Sequence, residues 1–90
     1  MDLSGFEVRP CRSGMAFDVL PRQAMKVDLA KACQRFREKG FEVEAETPVV
    51  AIVRVKGKPV SVYAGGRLQV RQTRALEEAQ AIATEVVGLI

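Results

Sequence analysis

Histidine, tryptophan and asparagine are absent from this chain of 90 residues, and tyrosine occurs once. Without histidine the commonest general base and metal ligand is missing. Neither Cys11 nor Cys33 has a base beside it in sequence, so nucleophilic catalysis has no support. The two cysteines stand far apart and form no CxxC pair, which predicts reduced thiols in a cytoplasmic protein rather than a disulfide. No apolar run approaches the roughly 18 residues needed to span a bilayer, so no membrane partner is expected. The opening MDLSGFEVRP has no basic region followed by an apolar stretch, and no secretory signal is expected. Gly65-Gly66 precedes a strand pattern and not a helix start, so it is turn geometry and not a phosphate loop. Glu42, Glu44 and Glu46 alternate as a solvated face would and lack a second ligand type, so no metal site is expected. These absences exclude most enzyme chemistry, and the expectation is a protein without catalytic residues, cofactor or metal. The lack of asparagine beside many charged residues suits a heat-adapted source.

What is present is the composition of one ordinary globular domain, residues 1–90, with 48% hydrophobic and 28% charged residues. The net charge of +3 and a pI near 9.2 permit a polyanionic partner. The stretch from Thr47 to Gln72 organises the rest. It predicts three antiparallel strands joined by two tight turns. Alternation puts Val49, Ala51, Val53, Val55, Val60, Val62, Leu68 and Val70 on one apolar face. The opposite face holds Arg54, Lys56, Ser61, Tyr63, Arg67, Gln69 and Arg71, with Val50 and Ile52. Gly57-Lys58 has the glycine-first pattern of a type II′ hairpin, which pairs Val55 with Val60, Val53 with Val62, Arg54 with Ser61 and Ile52 with Tyr63. A three-residue loop, Ala64-Gly65-Gly66, sets Val62 against Leu68 and Val60 against Val70, with Gly66 left-handed.

Before this meander come two strands and a helix. Gly5–Cys11 is a strand with Phe6 and Val8 inward, and Pro10 marks it as an edge. Arg12-Ser13-Gly14 is a turn, and Met15–Leu20 returns with Phe17 and Val19 inward and Ala16, Asp18 and Leu20 outward, ending at Pro21. Residues 1–14 thus form an N-terminal extension. Asp28 caps a helix whose stripe is Leu29, Ala32, Cys33 and Phe36, closed by Gly40. Phe41–Glu46 is a strand with Phe41, Val43 and Ala45 inward and Glu42, Glu44 and Glu46 outward. Thr73 caps a last helix, with Glu77 and Glu78 in its first turn and a stripe of Ala79, Ile82, Ala83, Val86, Val87 and Ile90. The fold class is α+β, with two helices covering one face of an antiparallel sheet.

Several segments carry a family resemblance. KVDLAKA, PVVAIVRV, VSVYAGGRLQV with its glycine–basic turn, and the Glu-Glu opening of the last helix together resemble one half-repeat of the TATA-box-binding protein family. The resemblance spans about Phe17 to Ile90 and implies a two-layer β-α-β4-α fold. It also implies DNA binding through the sheet, since that family kinks DNA with wedges from a concave sheet face. One wedge position falls at Tyr63 and the other at or near Pro48. Asp18 falls at an apolar groove-facing position, where a carboxylate favours single strands or RNA over kinked duplex. The family pairs its half-repeats through the first strand, which the Gly5–Cys11 hairpin here would cap, while a dimer through another surface stays open. Two functions follow. One is a small module binding DNA or RNA through Arg54, Lys56, Ser61, Tyr63, Arg67, Gln69 and Arg71. The other is a non-catalytic module of the same fold that binds a protein partner, those residues being a solvated face.

Overall fold

Alternation along the valine-rich middle of the chain builds the sheet, and the two amphipathic segments build its cover. The computed structural model describes residues 5–12 and 14–90. The strands are Phe6–Pro10 (β1), Ala16–Pro21 (β2), Glu42–Glu46 (β3), Val50–Val55 (β4), Lys58–Tyr63 (β5) and Leu68–Arg71 (β6). The helices are Leu29–Glu38 (α1), between β2 and β3, and Leu76–Val87 (α2), after β6. All strand pairs are antiparallel, in the order β1-β2-β6-β5-β4-β3. Ser13, in the expected Arg12-Ser13-Gly14 turn, lies outside the described residues. Either side of it, the Gly14 N–H donates to the Cys11 carbonyl and the Cys11 N–H to the Ala16 carbonyl. β1 is an edge strand, where Pro10 forfeits no ladder bond.

One core lies between the layers. Phe17, Val19, Val53, Val60, Val62, Leu68 and Val70 from the sheet meet Leu29, Cys33 and Phe36 of α1 and Ile82, Val86 and Val87 of α2. Each large side chain so buried contributes about 1.5–3 kcal/mol. Asp28 caps α1 by accepting the Lys31 backbone N–H at 3.2 Å. At its other end Gly40, at φ 85, lets the Gly40 N–H reach the Arg37 carbonyl and the Phe41 N–H the Phe36 carbonyl. These two bonds form a Schellman closure.

Four local expectations are corrected. The β4–β5 turn is Lys56-Gly57 and not Gly57-Lys58. Both residues have positive φ, 53 and 80, the type I′ pattern that matches strand twist. The register is therefore Val55 with Lys58, Arg54 with Pro59, Val53 with Val60, Ile52 with Ser61, Ala51 with Val62 and Val50 with Tyr63. This is a slip of two residues, which preserves every face. Val49 is 67% exposed and lies outside the ladder. Its N–H is taken by the Thr47 hydroxyl, and the Thr47 N–H and hydroxyl both donate to the Val50 carbonyl, so the chain is still turning there.

The third correction is in β3. Val43 pairs with Val53, but Ala45 pairs with Ile52 and Glu46 with Ala51, so a bulge at Glu44 switches the faces. Ala45 consequently belongs to the open face and Glu46 to the helix layer, the reverse of simple alternation. The fourth concerns Thr73, which is not the cap of α2. That position is Ala75, without a side-chain bond, while Thr73 is buried and its hydroxyl is 3.4 Å from the Ala75 N–H. The chain leaves β6 through Gln72 at φ 60, so the helix starts later than Thr73 suggests. The β5–β6 loop is as expected: Val62 faces Leu68, Val60 faces Val70, and Gly66 has φ 94.

Candidate interaction surface

The sheet face away from the helices is the surface expected to carry function. Register fixes who stands on it. Arg54 opposes Pro59 on β5 and Glu42 on β3; Ile52 opposes Ser61, which opposes Gln69, which opposes Asp18. Val50 opposes Tyr63, and the Tyr63 N–H donates to the Arg67 carbonyl at 2.8 Å across the loop. Arg71 opposes Ala16. Six of the seven expected residues are thus brought together: Arg54, Ser61, Tyr63, Arg67, Gln69 and Arg71.

Lys56 is not among them. It sits in the β4–β5 turn, and its Nζ lies 3.9 Å from Glu85 of α2. The two-residue change of register causes this, because Lys56 is a turn residue and no longer the last residue of β4. Ser61 lies at the centre but is 1% exposed, so it fills space between Ile52 and Gln69 and cannot meet a ligand.

The cations on this face are already engaged. Arg67 Nη2 lies 3.3 Å from Asp18 Oδ1, and its guanidinium lies 5.1 Å from the Tyr63 ring centroid. Such a cation–π contact is worth about 0.5–1 kcal/mol at an exposed site, and it occupies one face of the only tyrosine. Arg54 reaches Glu44 Oε2 at 3.3 Å and donates to the Gly57 carbonyl at 2.9 Å. Arg9 and Glu7 join at 2.9 Å, a contact that lowers the Glu7 carboxyl below its usual range and raises the arginine. Arg71 donates to the Gln69 side-chain carbonyl at 3.2 Å. By alternation the described residues of this face carry four arginines (9, 54, 67, 71) and four carboxylates (Glu7, Asp18, Glu42, Glu44), which balance.

Between the ion pairs runs an apolar row. Leu20, the stem of Arg67, Tyr63 and Val50 cross the sheet at one end, with Ile52 beside Val50 and exposed Val49 just beyond. The sequence sets Asp18, Glu42 and Glu44 outward with these arginines but does not show which of them pair. Asp18 meets Arg67 across 49 residues of chain, and Glu44 meets Arg54 from the neighbouring strand. Neither pairing leaves a local signal.

Elsewhere the chemistry is sparse. No group of three metal-ligating side chains occurs among the described residues, and no described helix is long and apolar enough to cross a membrane. Cys33 is buried; burial raises its thiol above the ordinary value, and the Glu46 carboxylate beside it pushes the same way. Cys11 is half-buried at the end of β1. No protein-family model, curated protein or solved structure matches this chain.

Proposed function

We propose that this is a non-catalytic interaction module whose open sheet face docks a protein. The observation that carries the proposal is the charge balance of that face: of the arginines expected to meet phosphates, Arg67 and Arg54 are met by Asp18 and Glu44 and Arg71 donates to Gln69, while Glu7 meets Arg9. A phosphate backbone would have to displace these carboxylates or be repelled by them, and a base stacking on Tyr63 would compete with Arg67. A protein partner suits the same face. It can bury the row of Leu20, Tyr63, Val50 and Ile52 while polar groups satisfy the paired charges at the rim, the usual anatomy of a docking surface. The order of elements from β2 onward, one strand, a helix, four strands and a helix, supports the resemblance to a half-repeat of the TATA-box-binding protein family, and such folds host several functions. A cytoplasmic setting, in which both thiols stay reduced, belongs to the same reading.

The test is photocrosslinking in the source cell with benzoylphenylalanine in place of Tyr63. A protein adduct of one discrete mass, lost when Val50→Ser is added, is the expected result. Adducts to RNA or DNA at this position would replace the proposal with nucleic-acid docking on the sheet. Adducts that survive Val50→Ser unchanged would remove the apolar row from the interface.

A further inference from the structure

The molecule's net charge of +3 has to reside somewhere, and it is not on the sheet. Nor is it on α2, where Glu78 and Glu85 are met by Lys58 and Lys56 at 3.8 and 3.9 Å. It collects on α1. Five cations lie between Lys26 and Lys39, against Asp28 and Glu38 in the same stretch. Arg37 is taken by Glu46 at 3.0 Å. Lys31, Arg35 and Lys39 are exposed, and none has a carboxylate within ion-pair distance among the described residues. Arg35 makes one long bond, 3.3 Å, to the Leu89 carbonyl.

Those three residues recur at i, i+4 and i+8, so they form one row along the solvent side of the helix, roughly 6 Å apart. Like charges four residues apart destabilise a helix by about 0.2–0.5 kcal/mol per pair, and Lys31 also stands near the N-terminal end, where the dipole opposes a cation. Arg35 and Lys39 stand at the C-terminal end, where the dipole favours them, so only Lys31 is opposed by it. Gln34 adds a neutral donor beside it. No large apolar side chain is exposed on α1: Leu29, Ala32, Cys33 and Phe36 are buried and only the small Ala30 is exposed, so nothing there would insert into a lipid surface. A row of regularly spaced, unpaired cations flanked by a neutral donor suits a chain of phosphates.

We propose that the outer face of α1, through Lys31, Arg35 and Lys39, binds the phosphate backbone of a nucleic acid without reading its sequence. The surface is separate from the open sheet face, on the opposite side of the two-layer fold, and both can be occupied at once.

The experiment is fluorescence anisotropy on the full chain with labelled duplex DNA and labelled single-stranded RNA across a salt series, with sedimentation on vesicles rich in phosphatidylserine as a third arm. Wild type should bind at least one nucleic acid at low salt, with affinity falling steeply as salt rises. The triple variant Lys31→Gln, Arg35→Gln, Lys39→Gln should lose close to three phosphate contacts. Its slope should then fall by about 2–3, so that its affinity no longer drops the extra ~40-fold over a fourfold rise in salt. All three residues are exposed, and circular dichroism should show the fold intact. A second variant, Arg54→Gln with Arg71→Gln on the sheet, should leave the slope unchanged. The proposal is overturned if the triple variant keeps the wild-type slope, if the sheet variant alone flattens it, or if wild type binds the vesicles and neither nucleic acid. Failure of protein docking at Tyr63 would leave these outcomes unaffected, so the two proposals fail separately.

Discussion

Val62 and Tyr63 are one peptide bond apart in β5, yet Val62 is sealed beneath two helices and Tyr63 lies on an open surface. The two faces of this sheet handle charge in opposite ways. The inner face excludes it: its ladder residues from Ala51 to Val70 are all apolar except Lys58, whose amine escapes to the Gln72 carbonyl and Glu78. The outer face admits charge and balances it: three of its four arginines pair with carboxylates, and Arg71 donates to Gln69. Exposure alone therefore does not make a basic residue available to a ligand. What matters is whether a carboxylate from another strand already stands beside it.

The comparison breaks most violently at Val62. Val62→Asp should abolish the fold, since an unpaired buried charge costs several kcal/mol, a large part of the roughly 5–13 kcal/mol available to a chain of this length. A cooperative melt near wild type would show the face assignment to be wrong. At the next residue, Tyr63→Ser should cost no more than about 1 kcal/mol, the worth of the lost contact with Arg67, and leave urea unfolding cooperative. A loss as large as that of Val62→Asp would mean that Tyr63 is part of the core.

The turn offers a gain. Lys56 holds a left-handed conformation at φ 53, which costs a residue of its type about 1–2 kcal/mol. Lys56→Asn creates the Asn-Gly pair that type I′ turns prefer and should raise stability by about 0.5–1 kcal/mol, read as a higher urea midpoint with unchanged slope. A lower midpoint would restore the Gly57-Lys58 turn.

The smallest effect concerns the bulge. The Cys33 thiol is raised above its ordinary value, first by burial and then by Glu46. Above the ordinary thiol value the unfolded cysteine ionises while the folded one keeps its proton, so the unfolded state binds fewer protons and stability falls as pH rises. That loss is complete once pH passes the raised folded value. Glu46→Gln removes one cause of the shift, so urea midpoints followed between about pH 8 and pH 11 should show a shallower alkaline loss than wild type. An alkaline loss identical in the two proteins would place Glu46 outward and delete the bulge from the account.

These tests fall where sequence and structure diverge, and the divergence has a pattern. The helices and the inner face were legible, because Leu29, Ala32, Cys33 and Phe36 and the alternating valines declare their periodicity directly. The Ala64-Gly65-Gly66 loop was legible because a one-residue error would have mixed the faces. The Lys56-Gly57 turn was not, because a two-residue slip leaves every face intact and periodicity says nothing about it. The bulge was hidden for the opposite reason: Glu42–Glu46 alternates perfectly as written, and only the pairing with β4 shows Ala45 turned to the open side. Of the surface, the residues of both signs were readable and the individual pairings were not, since Asp18 and Arg67 meet across 49 residues of chain. The α1 row follows from the sequence spacing alone, but only the ion pairs of the other surfaces show that its cations are unmatched.

The account rests on that contrast between a neutralised sheet face and an unbalanced helix. The most direct test is an amide proton–nitrogen spectrum of the labelled protein, titrated with a short single-stranded oligonucleotide at low salt. The account predicts the largest shift changes along residues 29–40, with Ile52, Ser61, Tyr63 and Gln69 unmoved. Shifts centred on Tyr63 and Gln69, with α1 silent, would contradict it.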